Sequence, residues 1–170
     1  AVSQGGDAKL FADDLNVFKA FSRQFSNEEI QTDMLTTRDA IHKWGKRNRV
    51  TFDSSKEHVV ILHPFHGEGE IFKFLGTYID PHMNMQFCID SIISKIKPKI
   101  KVLLRTKTYY DVAAMIGQFK THVWSQMEFH NGAILHAAPS LLKRLDDIQR
   151  SFFHELQITA ETAFLHYNFP

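Results

Sequence analysis

Hydrophobic and polar positions follow different periods along this chain, and each period predicts a different element. Over residues 8–18 an apolar-rich run, Ala8-Lys9-Leu10-Phe11-Ala12-Asp13-Asp14-Leu15-Asn16-Val17-Phe18, carries two adjacent acids at its crest. Short strand-prone segments on both sides predict a tight hairpin with Asp13 and Asp14 at its tip. From Ser26 the period changes. Ser26-Asn27-Glu28-Glu29 has the form of a capping box, with Ser26 as N-cap and Glu29 at the third helical position. Ile30, Met34, Thr37, Ile41 and Trp44 then recur at three and four residues, which gives a helix one apolar face. Lys43, Lys46, Arg47 and Arg49 gather at its C-terminal end, where cations complement the helix dipole. Strands are expected at roughly 50–53, 57–63 and 70–79, with His66-Gly67-Glu68-Gly69 turning the chain between the last two.

After a break near Pro81–Phe87 the periods become helical. Ile89, Ile92, Ile93, Ile96, Ile100, Leu103 and Leu104 form one stripe, which Pro98 is expected to kink or divide. A second helix is expected from about Tyr109 to Trp124 or beyond, burying Val112, Met115, Ile116, Phe119 and Val123. A third begins near Pro139 and carries Leu141, Leu142, Leu145, Ile148, Phe152 and Phe153. The chain therefore reads as α+β: an antiparallel sheet with a packed helix over residues 1–87, then a small helical bundle over 88–170.

Composition narrows the picture. At 170 residues and 44% hydrophobic the chain can bury one core or two small ones, and fifteen phenylalanines favour a packed globule over a disordered tail. The net charge of +1 is too small to argue for nucleic acid, so the distribution of charge has to carry that point. Lys95, Lys97, Lys99, Lys101, Arg105 and Lys107 form a run with no acid among them. The first five flank the isoleucine stripe on both sides, a face that either is simply solvated or tracks the phosphates of a duplex. Cys88 is the only cysteine, which excludes an intrachain disulfide and a cysteine metal set and suits a nuclear or cytoplasmic protein that is not secreted. There is no signal peptide and no apolar run of membrane-spanning length. The ten histidines show no ligand spacing, and Trp44 and Trp124 are expected in the core.

Adjacent unpaired carboxylates repel one another and resist burial. A divalent cation such as Mg2+, or Mn2+ in its place, would relieve that repulsion through hard oxygen ligands. An isolated Asp-Asp pair is more often an acidic turn. Lys56, taken alone, is a solvated lysine ahead of an apolar strand. In Phe74-Leu75-Gly76 the glycine allows either a bulge or a close approach by another backbone.

The order of these segments adds to what each says alone. Phe11-Ala12-Asp13-Asp14, an amphipathic helix, a strand bearing Lys56 and then Phe74-Leu75-Gly76 resembles the palm of reverse transcriptases, in particular those of non-LTR (LINE-type) retrotransposons. The resemblance continues through Leu145-Asp146-Asp147-Ile148-Gln149 and covers nearly the whole chain. It implies that Asp13 and Asp14 are catalytic and hold Mg2+, with Asp13 as the direct ligand and Asp14 supporting. It implies that Lys56 is a general acid toward the leaving pyrophosphate or an electrostatic partner of the phosphates. Phe74, Leu75 and Gly76 would form the primer grip, and residues 88–170 a thumb whose Lys95, Lys97, Lys99, Lys101 and Arg105 contact nucleic acid. The implied partners are an RNA template, a DNA primer and deoxynucleoside triphosphates, and the implied reaction is two-metal phosphoryl transfer to a primer 3′ hydroxyl. One departure matters. Such polymerases carry another metal-binding aspartate on an earlier palm strand after a fingers region, and only twelve residues precede Asp13 here. The expected reading is a fragment of the polymerase, or alternatively a catalytically inactive nucleic-acid-binding remnant.

Overall fold

A computed structural model describes residues 4–11 and 14–169. The chain divides into two compact units, Ala1–Glu70 and Ile71–Pro170.

In the first unit β1 (Gln4–Phe11) and β2 (Asp14–Ala20) pair antiparallel, with Ala8 opposite Val17, Leu10 opposite Leu15 and Phe11 opposite Asp14. The expected hairpin is therefore present on both flanks, while Ala12 and Asp13 lie outside the described residues. Helix α1 (Asn27–Asn48) begins at the expected capping box. The Ser26 hydroxyl accepts from the Glu29 N–H, and the Glu29 carboxylate accepts from the Ser26 N–H at 2.9 Å. The helix stops where Arg49 turns left-handed, at φ 59. Phe52 then folds back so closely that a Cβ on Gly45 would sit 2.6 Å from its ring, and glycine is required there.

The hairpin is tied to α1 by an ion pair. Lys19 Nζ lies 2.7 Å from Asp33 Oδ2 and 2.6 Å from Thr37 Oγ1, and the lysine side chain is largely covered. Ile30, Met34, Thr37 and Ile41 are half-buried, in keeping with the apolar stripe. Trp44 departs from the core expectation: it is 54% exposed. The strands that should have covered it are missing among the described residues. Residues 50–53 form no strand, because the Asp53 carboxylate accepts from the Ser55 N–H and hydroxyl and diverts the chain into a 3-10 turn, Ser54–Lys56. Over 57–63 only one bridge forms, Ile61 to Glu68.

The second unit opens with a second hairpin, β3 (Phe72–Phe74) and β4 (Thr77–Ile79). Six helices and a π-helical turn follow: α2 (Gln86–Arg105), α3 (Val112–Phe119), the π turn Lys120–Trp124, α4 (Ser125–Phe129), α5 (Asn131–Ile134), α6 (Pro139–Glu155) and α7 (Ala160–Tyr167). The expected strand over 70–79 is thus a complete hairpin in itself. It goes with the helices, Tyr78 meeting Phe87 edge-on at 5.0 Å, so the compact units divide at Glu70 rather than at Pro81–Phe87.

Helix α2 runs through Pro98 undivided. Pro98 and Ser94 are both exposed, so water can take the carbonyl that the missing N–H leaves free. The long second helix starts at Asp111, whose carboxylate accepts from the Ala114 N–H at 2.7 Å, and widens at the π turn. There the hydroxyls of Thr121 and Ser125 donate to the carbonyls of Gly117 and Thr121, a form of back-bonding that loosens the helical ladder.

The core lies within this unit. Ile89, Ile92 and Ile96 of α2, Met115, Ile116 and Phe119 of α3, Val123, and Phe152 and Phe153 of α6 are buried together. Among the described residues every buried hydrophobic side chain belongs to this second unit. Lys120 closes its C-terminal end, donating to the carbonyls of Tyr167 at 3.1 Å and Asn168 at 2.5 Å, the orphan acceptors of the last helical turn. Cys88 is buried, and burial pushes its thiol above the ordinary value, which makes it a packing residue rather than a reactive one. Among the described residues no helix is long and apolar enough to cross a membrane.

Candidate functional site

The residues expected to carry chemistry fall in both units. Asp14 is the first residue of β2, exposed beside the hairpin tip; its neighbour Asp13 is outside the described residues. Among the described residues no group of three or more histidine, cysteine, aspartate or glutamate side chains could hold a metal ion. Mg2+ takes near-octahedral oxygen coordination. The described donors beside Asp14 do not complete such a set, and the acid on β1, Asp7, is paired with Lys9 at 2.8 Å.

Lys56 ends the 3-10 turn with its side chain 82% exposed and its ammonium 3.5 Å from Asp53. No ion pair joins it to Asp14 among the described residues. Phe74, Leu75 and Gly76 form the β3–β4 corner: Phe74 ends β3, and Leu75 and Gly76 are the two turn residues, at φ 44 and φ 88. Two successive positive φ values make a type I′ turn, which glycine takes readily and leucine only with strain. A Cβ at Gly76 would stand 3.2 Å from the Phe129 ring, so the turn lies directly against α4.

The basic residues of α2 separate by face. Lys95 and Lys99 lie along one margin of the buried stripe, where Lys95 approaches the Tyr78 ring at 6.0 Å and Lys99 donates to the His122 carbonyl at 3.4 Å. Lys97, Lys101 and Arg105 lie on the other margin, four residues and so about 6 Å apart along the axis. All three are exposed. None has a carboxylate partner among the described residues, whereas the neighbouring Lys107 is paired with Glu155 at 3.1 Å and Arg144 with Asp90 at 2.7 Å. The sequence run thus resolves into two engaged lysines and one uncompensated cationic row.

Other polar groups escaped sequence reasoning. Asp80 is buried and accepts from the backbone N–H groups of His82, Asn84 and Met85. The dipeptide Asp80-Pro81 is the only sequence signal for that turn. Thr77 and His130, 53 positions apart, are buried and joined at 2.8 Å, a pairing no local pattern announces. Burial first, and the nearby Lys95 charge second, hold the His130 imidazole below its ordinary value, so the ring is neutral at pH 7.

Comparison with known proteins adds no relative: no family model, no curated protein and no solved structure matches this chain.

Proposed function

We propose that this chain is the palm-and-thumb part of an RNA-directed DNA polymerase of the non-LTR retrotransposon type, which when complete adds deoxynucleotides to a primer 3′ end. The order of motifs supports the polymerase assignment. The observation that carries its nucleic-acid part is the row Lys97, Lys101 and Arg105, three exposed cations without acidic partners among the described residues. An uncompensated row on a rigid helix suits a phosphate backbone. RNA template and DNA primer are the partners it would track.

Each phosphate contact contributes about 0.7–0.9 to the slope of log affinity against log salt. Replacing Lys97, Lys101 and Arg105 by Gln is expected to flatten that slope by about 2–3 units and to weaken binding to all sequences alike, with folding stability nearly unchanged. Fluorescence anisotropy of an RNA–DNA duplex over a salt series reads both. An unchanged slope in the triple variant, or no salt-dependent binding by the unmodified chain, would remove this row from the interface.

Asp13 and Asp14 are the proposed ligands for Mg2+, with Mn2+ as a substitute. A metal held there would neutralise charge on the attacking hydroxyl and the leaving pyrophosphate. Two carboxylates are fewer ligands than the ion needs, so binding is expected only at millimolar metal. Mn2+ should broaden the amide signals of Asp13 and Asp14, and Asp13→Asn should abolish the effect. Signals that stay sharp, or broadening that survives Asp13→Asn, would count against a metal site. The sequence departure, with only twelve residues ahead of Asp13 for another palm aspartate, favours a second reading, a nucleic-acid-binding remnant without catalysis. The two readings share the salt dependence and part at nucleotide addition, which only the first requires.

A further inference from the structure

A cavity of about 330 Å³ opens in the second unit between the Gly76 turn, α2 and α4. It is lined by the buried Ile92 and by the ring of Phe129, which is 67% exposed. The polar lining converges from both helices. Lys95 brings an ammonium with no carboxylate partner among the described residues. Ser125 donates its hydroxyl proton to the Thr121 carbonyl at 2.6 Å, which leaves its oxygen lone pairs as acceptors. His130 spends Nδ1 on Thr77 and keeps Nε2 for another partner. Gln126 also lines the cavity, and its amide oxygen is buried without a hydrogen-bond partner, the one such side-chain atom among the described residues.

Three irregularities meet at this place. Gly76 stands at a positive φ in the cavity lining, the π-helical turn ends immediately before Ser125, and the Gln126 acceptor is unmet. π turns and unsatisfied polar groups each concentrate at functional sites. An apolar cleft with a few convergent polar groups is the usual form of a small-ligand site.

We propose that this cavity binds a free nucleoside monophosphate, with its phosphate on Lys95, its base against Phe129, and a base N–H donor meeting the Gln126 amide once that side chain turns outward. The Lys95 ammonium, which meets the Tyr78 ring at 6.0 Å but has no carboxylate partner among the described residues, calls for an anion, and the exposed Phe129 ring calls for a planar body. The volume is within the range of small-ligand pockets. Lys95 lies on the margin of α2 opposite Lys97, Lys101 and Arg105, so the site is separate from the proposed duplex-tracking row and does not depend on the polymerase reading.

The test is a titration of the full chain with adenosine and uridine monophosphates, with adenosine and inorganic phosphate as partial ligands, followed by calorimetry and amide chemical shifts. Saturable binding with shifts centred on Lys95, Ser125, Gln126 and Phe129 is expected. Adenosine alone and phosphate alone should each bind at least tenfold more weakly. Lys95→Met and Phe129→Ala should each weaken the monophosphate at least tenfold, while the Lys97, Lys101, Arg105 triple variant binds it unchanged. Shifts in the unmodified chain do not depend on whether either variant folds. No saturation at millimolar monophosphate, or shifts centred elsewhere, overturns the proposal. Phosphate binding as well as the monophosphate overturns it too, since the cavity would then be an anion site without a place for the base. No strand binding by the unmodified chain, with its monophosphate binding intact, would count against the duplex row alone.

Discussion

Phe119→Ala is expected to lower the stability of the second unit by about 3–5 kcal/mol, the usual range for emptying a fully buried aromatic site. Phe119 is 0% exposed and stands at the meeting point of three segments. Its ring stacks on Phe152 of α6 at 4.3 Å and lies 6.3 Å from Phe153 and 5.9 Å from Phe169 beyond α7. Removing it strips contacts from all three at once, and helices joined by short turns cannot close on the space without moving one another. The chain has two tryptophans, one in each unit, so the measurement can be made specific. In a Trp44→Phe background only Trp124 remains, and it sits edge-on to Phe169 at 5.1 Å, next to the cavity that the substitution would leave. Urea unfolding followed by Trp124 fluorescence should show the midpoint fall with little change in slope. A loss below about 1 kcal/mol would mean that the aromatic cluster is not a closed core.

Asp80→Ala is expected to cost about 2–4 kcal/mol, because three backbone donors lose a charged acceptor at one stroke. The carboxylate holds His82 and Asn84 through one oxygen at 3.1 and 3.2 Å and Met85 through the other at 2.9 Å. Within that loop Met83 and Met85 adopt φ 56 and φ 60, a conformation that L side chains hold only when something outside the residue compels it. Met85 is both the N-cap position of α2 and a buried core residue, so the loop sets where α2 begins and how its isoleucine face meets the bundle. Asp80→Asn keeps one acceptor oxygen and should recover part of the loss. Hydrogen exchange at Met85 gives a local readout: its amide should lose protection in the Ala variant before global unfolding does. Full protection in Asp80→Ala would show that the turn holds itself.

The parts of this molecule written in local spacing were legible in the sequence. The capping box at Ser26 and Glu29, the stripes of α2, α3 and α6, and the β1–β2 flanks depend on neighbours within a few positions, and those elements form where the periods indicate. Strand assignments failed at 50–53 because a single Asp53 side chain offers the backbone a nearer partner than a neighbouring strand does. Trp44 failed for the related reason that helical periodicity marks a face without saying what covers it. Tertiary structure alone decided the rest: that Lys19 joins the first hairpin to α1 through Asp33, that the second hairpin packs with the helices, and that Gly76 meets Phe129 and Thr77 meets His130. Tertiary structure also split the basic run of α2 into an engaged margin and a free one, since a charge is compensated or left open only by partners distant in sequence. Periodicity fixes which face of an element is apolar, because it depends on bond geometry within the element; what meets that face depends on where the rest of the chain comes to lie.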